Sequence, residues 1–319
     1  MSLHVEELSV ELPAGRGLRR VVRELSFHIA PGEVLGVVGE SGCGKSVTGL
    51  ALMGLLPPGA VVSARRLELC GRALPPVGSP AWAAVRGRQA AMVFQNPMSA
   101  LNPCLTLETQ LVETLRLRHA GEGRRALRER AQALLGEVGI GAAGLRLRCH
   151  PHELSGGMAQ RVMIALALAC APALLIADEP TTALDATLQV QILDLIARLA
   201  RTHRMAVLLV SHDIGVVRAY ADRVQVMYSG QIVESGPVDA VAHTPAHPYT
   251  RGLLHALPGR GGAPGAPLPA LPGTVLPVGQ EAAGCRFESR CAQAQPVCRQ
   301  PVALRPHPRH PGVSLRCAL

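Results

Sequence analysis

Residues Gly39 to Ser46 read "GESGCGKS", which fits the pattern G-x-x-x-x-G-K-[ST]. That composition suits polyphosphate. Gly42 and Gly44 let the backbone curl so that successive N–H groups point into one concavity at the positive end of a helix. Gly39, Glu40, Ser41 and Cys43 contribute mainly backbone to it, Lys45 reaches the β- and γ-phosphates, and Ser46 offers its hydroxyl to Mg²⁺. A second chemical feature is "ALLIADEP", a hydrophobic strand ending in Asp178 and Glu179. A strand-end carboxylate beside a phosphate loop is placed to hold Mg²⁺, and the next carboxylate to polarise an attacking water. About twenty residues upstream, "ELSGGMAQR" places Ser155, Gly156 and Gly157 at the start of a helix, which makes a second anion-binding turn. One nucleotide rarely needs two such turns. The economical explanation is a head-to-tail dimer in which each second turn closes over the γ-phosphate held by the partner.

These residues need elements to position them. "EVLGVVGE" reads as a buried strand before the loop, and "KSVTGLALMGLL" as a helix after it, stopped by Pro57 and Pro58. The first 38 or so residues alternate apolar and polar positions, as antiparallel strands do. "AAMVFQNPMSALNP" reads as a strand running into a turn. Helical spacing covers about 105 to 145, with the arginines of "GEGRRALRER" on a solvated face. From Pro172 strands and helices alternate in "ALLIADE", "TLQVQILDLIARLART" and "MAVLLVSHD". The fold class is therefore α/β, a doubly wound P-loop NTPase core with a helical insertion. A shift to Gly, Pro and Ala after Leu257 puts a domain boundary near Pro258, giving 1–258 and 259–319, with the helical part at about 96–165.

Composition bounds the rest. In 319 residues apolar content is 48% and aromatic content only 2%, so Ala, Leu and Val must fill the core. The net charge of +9 raises nucleic acid or an anionic surface as partners, yet the arginines are scattered along helices, so no nucleic-acid partner is expected. "MSLHVEELSVEL" has no basic start followed by an apolar stretch, so no secretory signal is expected. The longest apolar run, Val162 to Ala177, is too short to span a bilayer and contains Pro172. Membrane contact should come through a partner.

A phosphate loop, "LSGGM", "LLIADEP", "TTALD" and "VSHD" in this order resemble an ATP-binding cassette (ABC) ATPase over residues 1 to 258. That resemblance implies ATP and Mg²⁺ as cofactors, an N-terminal antiparallel β subdomain and a helical signature subdomain. It implies Gln95 in "VFQNP" as a sensor of Mg²⁺ and water, Asp185 at the dimer contact, and His212 as the residue that meets the γ-phosphate, alongside Glu179. "FQNPMSALNP", "HELSGGMAQRVMIALAL", "HPYTRGLLHALP" and the tail "LPALPGTV…GCRFESRC" look like the ATP-binding subunits of oligopeptide/dipeptide importers. The implied role is ATP hydrolysis that drives uptake of peptides or peptide-like solutes. The implied assembly is peripheral, on the cytoplasmic face of the membrane, with a second ATPase chain (a heterodimer), two permease subunits and an external solute-binding protein. Two positions depart from the pattern. Leu12 stands where an aromatic stacks on adenine, Phe27 being assigned to the core, and Ala159 replaces the basic residue after Met158. A nickel or metal-chelate importer, and an ABC ATPase outside transport, are the alternative readings.

Four of the nine cysteines, Cys285, Cys291, Cys298 and Cys317, fall in the last 35 residues at spacing C-x₅-C-x₆-C-x₁₈-C. That segment has too little apolar sequence to fold unaided, and four thiolates joined by a metal would supply stability. Spacing alone does not choose between Zn²⁺ and a [4Fe–4S] cluster. The resemblance to the importer extension, some members of which hold an iron–sulfur cluster, points to iron in a structural role.

Overall fold

The computed structural model describes residues 2–15, 17–182, 184–257, 271–276, 280 and 282–319. The boundary expected near Pro258 lies outside the described residues. The chain starts with two long strands, β1 (Leu3–Ala14) and β2 (Gly17–Ile29), and Phe27 is buried in β2 as expected. β3 (Val34–Val38) is buried at every residue, as a strand covered on both faces must be. It leads through the glycine loop into α1 (Lys45–Leu52). This helix does not run on to the prolines. Gly54 takes a left-handed φ of 60°, its N–H donates to the Ala51 carbonyl, and Leu55 N–H donates to Leu50. That paired return closes the helix four residues earlier than the sequence pattern suggests.

Three short strands follow, β4 (Val61–Ser63), β5 (Arg66–Leu69) and β6 (Arg72–Ala73), then the buried β7 (Ala90–Val93). A helical run comes next: α2 (Pro97–Ala100), α3 (Leu107–Arg116), α4 (Arg124–Glu137), α5 (Ala143–Arg146) and α6 (Gly156–Leu168). On α4, Leu127, Ala131 and Leu135 recur every fourth residue and face inward. Its arginines face solvent and pair with acids, Arg128 with Glu108 at 3.1 Å and Arg130 with Glu122 at 2.7 Å. Such exposed pairs contribute little. This run of basic residues is a solvated face.

The remaining elements alternate: β8 (Leu174–Asp178), α7 (Ala186–Thr202), β9 (Ala206–Ser211), α8 (Ile214–Tyr220), β10 (Arg223–Tyr228), β11 (Gln231–Pro237), α9 (Val238–His243) and α10 (Pro248–His255). Two small strands, β12 (Arg305–Pro306) and β13 (Ser314–Leu315), end the chain.

The chain divides into two compact units. The first holds Met1–Leu3, Ile29–Glu33 and Glu68–Leu208, the second His4–His28, Val34–Leu67 and Leu209–Leu319. In the first, β7 and β8 pair in parallel, Val93 opposite Ala177, so the segment after β7 and the carboxylates after β8 leave the sheet at the same end. In the second, the strand order is β12-β13-β11-β10-β3. There β10 is parallel to β3, while β11 and the tail strands add in antiparallel fashion. The C-terminal tail thus takes its stability from the second unit. Its Phe287 is buried against Tyr228 and Tyr249, with ring centroids 5.2 and 5.3 Å away, and Cys298 and Val313 are buried as well. The apolar partners that the tail lacks in its own sequence come from β10 and α10.

The start of α10 carries a pH-sensitive contact. The buried carboxylate of Glu234 accepts the N–H groups of Ala246 and His247, at 2.8 and 3.0 Å. His247 Nδ1 accepts the Tyr249 N–H at 3.1 Å and caps the helix, while its Nε2 has no partner among the described residues. Burial, helped by the positive charge of Arg251, lowers the His247 pKa from 6.5 to about 4. The folded state therefore prefers the neutral ring. This stabilisation is whole above pH 6.5 and is lost as the pH falls toward 4, at most about 3 kcal/mol over the window. His247→Asn keeps a capping oxygen and removes the titration. Thermal midpoints measured from pH 7 down to 4.5 are expected to fall less steeply for the variant than for the wild type. Parallel curves would remove His247 from the account.

Candidate active site

The second unit holds the phosphate loop. Gly39 has no room for a side chain, because a Cβ there would sit 2.1 Å from the Met227 carbonyl oxygen. Gly44 begins α1 at φ 106°, a conformation that only glycine adopts cheaply, and a Cβ there would crowd the Met227 methyl at 2.8 Å. Thr48 fastens the first turn by donating both its N–H and its hydroxyl to the Gly44 carbonyl, each at 3.0 Å. Lys45 is buried, and its Nζ donates to the carbonyls of Gly39 (2.7 Å) and Glu40 (3.0 Å). The loop is thus curled around its own lysine. Cys43 is buried within it, and burial raises its thiol pKa, which favours the protonated thiol. Its carbonyl accepts the Gly230 N–H at 2.9 Å. Ser41, Gly42 and Ser46 are exposed. His212, also exposed, follows β9 directly, and Asp213 behind it caps α8 by accepting the Gly215 N–H at 2.7 Å.

The first unit holds the carboxylates. Asp178 is the last residue of β8, and Glu179 follows it with a left-handed φ of 46°. A non-glycine residue in that region is strained, and such strain persists where the surroundings hold the side chain in place. Here they do. Glu179 Oε2 accepts hydrogen bonds from Gln95 Nε2 at 3.3 Å and from the Thr182 hydroxyl at 3.1 Å. The carboxylate expected to polarise water is therefore oriented by the glutamine expected to sense it. Thr182 is a partner that sequence reasoning missed, although it lies within the quoted "TTALD".

The remaining expected residues are helix starts. Ser155 caps α6, its hydroxyl accepting the Met158 N–H at 3.4 Å, with Gly156 exposed and Gly157 buried behind it. A side chain at Gly157 would press on Leu188 at 3.1 Å. Asp185 caps α7 by accepting the Leu188 N–H at 2.9 Å. Both caps stabilise their helices whatever they bind. The structure brings Gln95 and Glu179 together in the first unit, and it brings Gly39, Glu40, Cys43 and Lys45 together in the second.

The tail cysteines are all free thiols. Cys285 N–H donates to the Cys298 carbonyl at 2.7 Å. The Cys285 pKa is raised, chiefly by burial and further by the neighbouring thiols of Cys317, Cys298 and Cys291. Yet among the described residues no three or more His, Cys, Asp or Glu side chains are drawn into metal-binding geometry.

A strand, a glycine loop closed on a buried lysine, a helix, and a strand-end carboxylate pair together define a P-loop protein that hydrolyses a nucleoside triphosphate. The ABC transporter family matches residues 22–182, and the family described as "Oligopeptide/dipeptide transporter, C-terminal region" matches residues 233–298. The chain is 44% identical over 297 residues to the dipeptide transport ATP-binding protein DppD of Escherichia coli K12, covering 93% of this chain and 90% of that protein. It is equally identical to DppD of Bacillus subtilis, with 93% and 88% covered. Among solved structures, the ATP-binding cassette MJ0796, as a post-hydrolysis dimer with ADP and Pi, aligns with a TM-score of 0.65 at 25% identity, covering 74% of this chain and 98% of that one. The chain belongs to the ABC transporter family, as an ATP-hydrolysing subunit that uses ATP and Mg²⁺. Subunits of this kind work as dimers on membrane permeases. Among the described residues no helix is long and apolar enough to cross a membrane.

Proposed function

We propose that this chain powers an importer of peptides or peptide-like solutes from the cytoplasmic face of the membrane. One observation carries the reading: an ABC cassette and an oligopeptide/dipeptide-type C-terminal region occur in one chain, which aligns over nearly its whole length with relatives named for dipeptide transport. In this reading residues 1–258 form the ATPase domain and 259–319 the extension. Gly39 to Lys45 hold the phosphates, and Ser46, Gln95 and Asp178 serve Mg²⁺. Glu179 polarises the attacking water, and His212 meets the γ-phosphate. Ser155, Gly156 and Gly157 act on the ATP of the partner, and Asp185 lies at the contact between cassettes. The partners are a different ATPase chain, two permease subunits and an external solute-binding protein.

Cys285, Cys291, Cys298 and Cys317 are free thiols of the donor type that a structural iron–sulfur cluster or Zn²⁺ takes, although among the described residues they are not drawn into metal-binding geometry. ATP hydrolysis requires no electron from such a group, which when bound would tie the thiols of the tail together. Ligation has to displace the Cys285 proton, so it weakens as pH falls.

One preparation tests both parts. The complex is purified anaerobically with its permeases and placed in proteoliposomes. A peptide-loaded binding protein is expected to stimulate ATP hydrolysis, and the protein is expected to be brown and to contain iron. Stimulation by a metal chelate but not by peptides would overturn the substrate reading. Colourless protein free of iron and zinc, equally stable with all four cysteines changed to Ser, would end the cluster reading.

A further inference from the structure

The second residue of the phosphate loop is gripped by the C-terminal tail. Arg290 follows Phe287 in a short turn, Glu288–Arg290, and its side chain is only 3% exposed. Its guanidinium forms a two-pronged pair with the Glu40 carboxylate, Nη1 to Oε2 at 2.6 Å and Nη2 to Oε1 at 3.0 Å, across 250 residues of sequence. The fork is fixed from every side. Nε donates to the Pro272 carbonyl at 2.7 Å, Nη1 also donates to the Tyr228 hydroxyl at 3.4 Å, and the guanidinium carbon lies 5.7 and 5.8 Å from the Tyr228 and Phe287 ring centres. The hydrogen bonds it donates to the Glu40 carboxylate hold the guanidinium pKa above its ordinary value.

Glu40 joins this grip to the lysine. Its N–H donates to the Tyr249 hydroxyl at 2.9 Å, and its carbonyl accepts Lys45 Nζ at 3.0 Å. A carboxylate in a loop shaped for polyphosphate is otherwise a liability, because it repels the ligand that the loop binds. A two-pronged arginine neutralises it and fixes its direction, which a lysine, as a point charge, does less well.

The structure assigns Arg290 as a positioning residue for ATP binding: by neutralising and orienting Glu40, the tail keeps the phosphate loop receptive to the nucleotide. The assignment rests on the reading of Gly39–Ser46 as the phosphate site. Removing Arg290 has two consequences. The loop loses an anchor, and the Glu40 charge is exposed to the phosphates. If the receptive fraction falls to about a tenth, the apparent Kd rises about tenfold. The charge component is screened by salt and so grows at low ionic strength, whereas plain loosening of the tail does not.

The test is ATP affinity of the full chain at low and high salt for the wild type, Arg290→Met, Arg290→Lys, Glu40→Gln and the double variant Arg290→Met/Glu40→Gln, with Lys45→Ala as reference. Arg290→Met is expected to weaken binding about tenfold at low salt and less at high salt. Arg290→Lys should fall between it and the wild type. The double variant, a neutral pair of similar shape, should recover affinity to within about threefold of the wild type. Should Arg290→Met fail to fold, Arg290→Lys and the double variant carry the same comparison. Wild-type affinity in the Arg290 variants, or a double variant as weak as the two single losses combined, overturns the assignment. If Lys45→Ala loses ATP while the Arg290 variants keep it, this inference fails and the phosphate-loop reading stands. If Lys45→Ala binds as the wild type does, the loop reading itself fails.

Discussion

Glu179→Gln is expected to bind ATP as the wild type does and to hydrolyse it at least about 100-fold more slowly. The side chain keeps its length, so the strained backbone at φ 46° has nothing new to accommodate. A carboxamide oxygen can still accept the Thr182 hydroxyl that Glu179 Oε2 accepts now. What is lost, in the role proposed for Glu179, is the negative charge that would polarise water and take its proton. Phosphoryl transfer depends chiefly on placing the nucleophile and stabilising charge, so this loss appears in turnover and not in binding. The nucleotide should then be trapped in the closed dimer, visible as a stable ATP-bound species in size-exclusion chromatography. Turnover within a few-fold of the wild type would move the role to another residue. Gln95 is the first to examine, since it already touches the same carboxylate oxygen.

How much of this was legible in the sequence depends on how local each feature is. The phosphate loop was legible because its backbone demands glycine at fixed places. Gly39 faces a carbonyl and Gly44 takes a left-handed turn, and both constraints show as letters in an eight-residue pattern. The strand before it was equally plain, since β3 is buried throughout and so reads as an unbroken apolar run. The end of α1 was misread. Two prolines are a conspicuous stop, yet Gly54 closes the helix first through backbone hydrogen bonds that leave only one glycine as a trace. What supports the tail was hidden for a related reason. Its apolar residues are too few when counted alone, but Phe287 packs against rings supplied by β10 and α10. The Arg290–Glu40 pair was out of reach altogether, because no local pattern links residues 250 apart in the chain.

Lys45→Ala is expected to cost most of the ATP affinity while leaving the fold nearly as stable. Lys45 is 4% exposed and the described partners of its ammonium are the carbonyls of Gly39 and Glu40, at 2.7 and 3.0 Å, with the Cys43 sulfur at 3.8 Å. Neutral carbonyls compensate a desolvated charge only in part. Phosphate oxygens compensate it fully, and that difference drives lysine and nucleotide together. Removing one partner of such a charge pair costs about 3 kcal/mol or more, which is roughly 100-fold in Kd. The cost to folding is smaller, because a water can take over the two carbonyls at about 1 kcal/mol. Titration with a fluorescent ATP analogue and thermal unfolding without nucleotide separate the two quantities. A Kd within threefold of the wild type would mean that the backbone N–H groups of the loop hold the phosphates alone, with the lysine serving only to curl it.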